Sequence, residues 1–171
     1  MPRWTIAAIS LAALLSAPSS LLAGDAFLKL GINLNSDLGG FTDRWFASVG
    51  SDWGAFGSQG FIGLEFQGSY RSRTDGGFNV KSVPANVFLN LKWKSEQESV
   101  RPYAGGGFGL VSTYVDISGP GVSDNEWFKD AGFQMMGGVE FNRKFVVEFM
   151  GQTVLESDAD WLWSVLGGVR F

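Results

Sequence analysis

Two residue types are missing from this 171-residue chain: it has no cysteine and no histidine. The first absence excludes disulfides, thiolate nucleophiles and cysteine metal sites. The second removes the usual general base near neutral pH and the commonest metal ligand. Long apolar runs are missing too. Past the first two dozen residues, no stretch is long enough for a membrane-spanning helix. Nor is there a basic excess: 13 Lys and Arg stand against 17 Asp and Glu, which gives no case for a nucleic-acid partner. No cofactor or metal is expected. What is abundant is glycine, 24 residues, and aromatic side chains, 15% of the chain; both are high for a soluble domain. Yet the mean hydropathy is only +0.08. Alternating strands reconcile these facts, because one face is fully apolar while the average stays near zero.

The start of the chain, MPRWTIAAISLAALLSAPSSLLAGDA, reads as a separate object. Arg3 supplies a positive end, Ile6 to Leu15 an apolar core, and Leu21-Leu22-Ala23 a small-residue exit. That is the pattern of a secretory signal peptide over residues 1–23, with cleavage after Ala23. A membrane anchor is the alternative, but the apolar core is short and interrupted by Ser and Pro. Removing residues 1–23 takes away Arg3 and no acid, so 12 basic residues remain against 17 acidic ones.

The remainder, residues 24–171, divides into segments of period two separated by polar turns. In the final stretch, WLWSVLGGVRF, the set Trp161, Trp163, Val165, Gly167, Val169, Phe171 is apolar and aromatic. The interleaved set Leu162, Ser164, Leu166, Gly168, Arg170 is mixed. Strict alternation over this length argues a strand. The same reading gives strands at about 26–33, 45–53 (the least clearly marked), 61–71, 81–93, 101–115, 131–141 and 145–155. Pro84 would sit near the start of the fourth. Longer loops are expected at 35–43, 72–79, 116–130 and 156–160, and shorter turns at 54–60, 94–100 and 142–144. Eight strands with both ends on one side describe an all-β, eight-stranded, antiparallel up-and-down transmembrane β-barrel. Trp93, Tyr103, Phe141, Phe145 and Phe171 gather at one end of the strands, Trp45, Tyr70 and Trp161 near the other, as two aromatic girdles do. A soluble barrel or sandwich is the rival, but its outer face would need far more charge than the mixed face carries.

With the strands in place, the chain resembles the small outer-membrane barrels of the OmpA-like and OmpW-like superfamily. The resemblance rests on IGLEFQGSYR (62–71), NVFLNLKW (86–93), RPYAGGGFG (101–109) and GGVRF (167–171). It implies location in a bacterial outer membrane, contact with outer-membrane lipid and lipopolysaccharide, and a monomer. It also implies that Phe171 on the last strand is the signal to the outer-membrane assembly machinery. No periplasmic peptidoglycan-binding domain is expected after the barrel.

The mixed faces place Lys29, Glu65, Arg71, Lys92, Glu140, Glu148 and Arg170 toward the lumen. A barrel of eight strands is just wide enough for side chains to fill it, so these charges are expected to pair. The network is then either a rigid plug or a gate whose pairs exchange to open a narrow path for ions or small hydrophobic solutes. Filled interiors are the rule at this strand number, which favours the plug. Related barrels that modify lipid A use a catalytic histidine, and this chain has none, so the resemblance carries no enzyme with it. Asp116, Asp124, Glu126, Asp130, Asp158 and Asp160 suit either a Ca²⁺ site or, with no matching ligand spacing, a solvated acidic rim. Trp53, Phe56, Trp127 and Phe128 suit adhesive tips or the girdles. The expected role is structural and surface-interacting, with membrane integrity and loop contacts as its two parts.

Overall fold

The computed structural model describes residues 25–34, 45–97, 99–155 and 160–171. The proposed signal peptide, the loop expected at 35–43 and all but Asp160 of the loop expected at 156–160 lie outside them. The strands are β1 (Asp25–Asn33), β2 (Trp45–Phe56), β3 (Gly60–Ser69), β4 (Arg71–Asp75), β5 (Phe78–Lys94), β6 (Val100–Gly119), β7 (Val122–Phe141), β8 (Phe145–Val154) and β9 (Leu162–Arg170). Their order in the sheet is β3-β2-β1-β9-β8-β7-β6-β5-β4, and β3 also pairs with β5, which closes the ring. β4 continues β3: both follow one register along β5, from Gly60 opposite Trp93 to Asp75 opposite Phe78. The ring therefore has eight strands, all antiparallel to their neighbours.

The expected fourth strand begins earlier than Lys81, at Phe78, so Pro84 lies in its interior rather than near its start. The consequence is visible across the ladder. Pairing between β3 and β5 lapses after Gly68–Ala85 and resumes at Arg71–Ser82. Pro84 has no N–H to donate there, and the lapse is what divides β3 from β4.

Two expected loops are not loops. Residues 72–79 form the end of β4, a turn at Gly76 and Gly77 (φ 57° and 86°) and the start of β5. Residues 116–130 are the outer part of a β6–β7 hairpin that stays paired to Gly119–Val122, with only Pro120 and Gly121 (φ 76°) between the strands. The 142–144 turn is tight as expected, with Asn142 and Arg143 at φ 51° and 56°. β6 and β7 have 20 residues each, against 9 in β1 and β9 and 10 in β8. A tilted strand crosses a bilayer with about 9–11 residues, so β5, β6 and β7 run on well past the span.

The faces are inverted relative to a soluble protein. Leu30, Leu89 and Phe108 are 57%, 59% and 65% exposed, while Lys29, Glu65 and Lys92 are 2%, 0% and 2% exposed. Five outward rings touch in sequence across the wall: Phe108, Phe133, Trp161, Trp163 and Phe149. An apolar outer band over a polar interior is the arrangement for which lipid is the solvent. Trp93, Phe141, Phe145 and Phe171 are exposed in the girdle expected for them. Tyr103 is not: it is buried in the lumen, because Arg101, Tyr103 and Gly105 share the inward face of β6 while Pro102 and Ala104 face out.

Candidate functional site

The inward residues of all eight ring strands meet in one ionic network. Lys29 of β1 lies 2.6 Å from Glu148 of β8 and 2.9 Å from Glu65 of β3. Glu65 accepts further bonds from Ser48 and, at 3.0 Å, from Asn90 Nδ2. Glu148 accepts from the Tyr103 hydroxyl at 2.6 Å. Nearer the short turns, Asp52 of β2 is shared by three cations: Lys92 at 3.0 Å, Lys94 at 2.8 Å and Arg170 at 2.7 Å. Glu140 of β7 is shared by Lys94 at 3.0 Å, by Arg101 at 3.5 Å and by Arg170. Two rings sit among these cations. Phe27 faces the ammonium groups of Lys29 and Lys92, each 4.6 Å from its centroid, and Phe61 faces Lys94 at 4.5 Å. In a dry interior such contacts add to the pairing.

The charges of this network stay in the lumen because each is paired with at least one opposite charge. An isolated buried charge is costly, whereas a hydrogen-bonded pair recovers most of that cost. The space for the side chains comes from glycines on neighbouring strands. A Cβ on Gly63 would lie 2.3 Å from Asp52 Oδ1; on Gly107, 2.0 Å from Asn90 Oδ1; on Gly138, 2.7 Å from the Tyr103 hydroxyl oxygen; and on Gly168, 2.8 Å from Lys29 Cγ. The alternating glycines of RPYAGGGFG thus accommodate side chains of the adjacent strand β5, not side chains reaching from across the lumen.

Of the expected lumen residues, Lys29, Glu65, Lys92, Glu140, Glu148 and Arg170 meet in the network. Arg71 does not. It lies on β4, six residues beyond Glu65, half-buried and without an ion pair to a described residue. Four members were missing from the expectation: Asp52, Lys94, Arg101 and Tyr103. Each has the inward parity of its strand, which is the signal that identifies them. The acidic residues of the outer hairpin do not converge. Asp124 is opposite Ile117, Glu126 opposite Val115 and Asp130 opposite Val111. Trp127 and Phe128 are exposed on β7, with Trp127 packed on Tyr114 at 5.2 Å.

No protein-family model matches the chain, and no curated protein matches it in sequence. Solved structures do match in fold. Neisserial surface protein A superposes with a TM-score of 0.58 at 13% identity, over 85% of this chain and 94% of that one. Ail, the attachment invasion locus protein of Yersinia pestis, in complex with the heparin analogue sucrose octasulfate, gives 0.52 at 14% identity, over 86% and 99%. The outer membrane enzyme PagL gives 0.53 at 13% identity, over 86% and 98%.

Proposed function

We propose that this chain, whose fold is that of the small outer-membrane β-barrels of the OmpA-like type, is a closed, non-enzymatic barrel that braces the bacterial outer membrane. The observation that carries the reading is the shared ionic network. Asp52 and Glu140 each hold several cations contributed by different strands, so opening a path between them would strand charges in a dry lumen. With the ionic tier filled, the projecting ends of β5, β6 and β7 remain available to macromolecular partners, and Trp127 and Phe128 are exposed there. Contact with lipopolysaccharide and with the assembly machinery through the last strand belongs to the same reading, as does a monomeric state.

A fold shared with an enzyme does not bring the enzyme's chemistry with it. PagL is an enzyme, but the present chain has no histidine to act as a base, and the lumen carboxylates are all engaged with cations. That supports a structural and surface-interacting role over a lipid-modifying one.

The test is conductance of the refolded chain in a planar bilayer across a range of salt. A silent barrel that retains heat-shifted mobility on a gel is the expected result. Discrete, salt-dependent steps would overturn the closed reading and favour a narrow pore gated at Glu140 and Arg170.

A further inference from the structure

The lumen has a second polar region, which touches the ionic network where Gln67 Nε2 donates to Glu65 at 3.3 Å. Among the described residues, eight buried polar side-chain atoms have no hydrogen-bond partner, and six of them are Asn33 Nδ2, Gln67 Oε1, Ser69 Oγ, Arg71 Nε, Asn86 Oδ1 and Gln152 Oε1. These six belong together. Asn33 is four residues beyond Lys29 along β1, and Gln152 four beyond Glu148 along β8. Gln67 and Ser69 are two and four beyond Glu65 along β3, and Asn86 is four residues from Asn90 in the same direction along β5. All have inward parity. They ring the lumen on the side of the long hairpin, above the ionic tier. Asn33, Asn86, Gln67 and Gln152 are 3%, 4%, 5% and 7% exposed.

Two of the free atoms are held in place by the other halves of their side chains. Asn33 Oδ1 accepts from Ser164 Oγ at 2.7 Å, which fixes where its Nδ2 points. Gln67 Nε2 donates to Gln134 Oε1 at 2.7 Å, which does the same for its Oε1. Buried polar atoms in proteins are almost always satisfied, and a concentration of six at one end of the lumen calls for a partner. The chemistry of the ring says which kind. Three amide oxygens require donors. Asn33 Nδ2 and Arg71 require acceptors. No carboxylate is in the set, so a cation is not what it fits. Hydroxyl groups satisfy both requirements. Arg71, farther out and half-buried, adds one positive charge that no described residue neutralises. Phe46, opposite Ser69 and buried, supplies an apolar face of the kind that packs against the C–H face of a sugar ring.

We propose that the hairpin-side end of the lumen is a binding site for a small polyhydroxylated anion of the sugar-acid class, its hydroxyls on the Asn33, Gln67, Asn86 and Gln152 amides and its carboxylate on Arg71. The site stands whether or not the ionic tier below it conducts.

The test is titration of the chain, refolded in detergent, with glucuronate, glucose and inorganic phosphate, followed by saturation-transfer NMR and calorimetry. Glucuronate is expected to bind saturably and more tightly than glucose. Arg71→Gln is expected to reduce glucuronate affinity at least ten-fold, to the level of glucose. Asn86→Leu combined with Gln152→Leu is expected to abolish both. Heat-shifted gel mobility reports folding of each variant; should the double variant not fold, Gln152→Met alone carries the comparison. Three results overturn the proposal: no saturable glucuronate binding up to its solubility, binding that survives the amide substitutions, or phosphate binding as tightly as glucuronate, which would mean a lone anion at Arg71.

Discussion

Arg170 Nη2 lies 2.7 Å from Asp52 Oδ2, which ties β9 to β2 across the lumen although β1 separates them in the wall. The same carboxylate holds Lys92 and Lys94 of β5. One side chain therefore joins three strands that share no direct backbone pairing with one another at that point.

Asp52→Asn leaves those three cations with one fewer carboxylate in a dry interior. Breaking a buried pair in this way costs about 3–5 kcal/mol, and the urea midpoint for unfolding from lipid vesicles should fall accordingly. Asp25→Asn is the control. Asp25 is 57% exposed and 3.8 Å from Arg170, so its loss should cost less than about 1 kcal/mol.

Lys29 bridges Glu65 and Glu148, which links β1 to β3 and β8. Lys29→Met and Glu148→Gln should each destabilise. In combination they should destabilise by less than the sum, with a coupling of about 1–3 kcal/mol in a double-mutant cycle. Additive effects would show that the two groups act independently.

Leu89→Arg tests which solvent the outer face meets. Leu89 is 59% exposed, so on a protein in water the change would be nearly neutral. Facing the middle of a bilayer it should cost about 2–4 kcal/mol. Refolding yield into vesicles and the urea midpoint both read the difference.

Gly107→Ala puts a Cβ 2.0 Å from Asn90 Oδ1 and 2.6 Å from the Leu89 carbonyl oxygen. Overpacking of this sort costs about 1–3 kcal/mol. Gly167→Ala, on the outer face with its nearest neighbour at 4.0 Å, should leave the midpoint unchanged.

Phe171→Ser should lower the amount of barrel assembled in cells while leaving detergent-refolded protein intact. Quantitative blotting of outer-membrane fractions against refolded standards separates the two. Equal surface levels would count against an assembly role for this residue.

The strands inside the membrane were legible because one face meets lipid and the other does not. That asymmetry makes the alternation strict, as in Ile62, Leu64 and Phe66 against Gly63, Glu65 and Gln67. Beyond the membrane neither face meets lipid, so the alternation fades while the backbone ladder continues. DISGPGVSDNEWFKD reads as a loop for that reason, and it is paired strand on both sides of Pro120 and Gly121. The network was legible where strands were clear, at Lys29, Glu65, Lys92, Glu140, Glu148 and Arg170. It was illegible at its edges. Asp52 lies in the Gly- and Ser-rich β2, Lys94 is the first residue of KSEQES, which reads as a polar turn, and Arg101 stands at the start of β6 beside a proline. Arg71 has the right parity, but it lies beyond the ionic tier, and parity alone does not report height along a strand.

The glycines beneath the lumen side chains bear on how such a chain can change over generations. Gly63 with Asp52, Gly107 with Asn90, Gly138 with Tyr103 and Gly168 with Lys29 are each a hollow and the group that lies over it. Enlarging the first member of a couple is tolerable only once the second has shrunk, and a smaller second member alone leaves a gap. Divergence in this lumen should therefore proceed by coupled exchanges between adjacent strands, with total side-chain volume conserved at each level while the identity of the residue supplying it moves from one strand to the next.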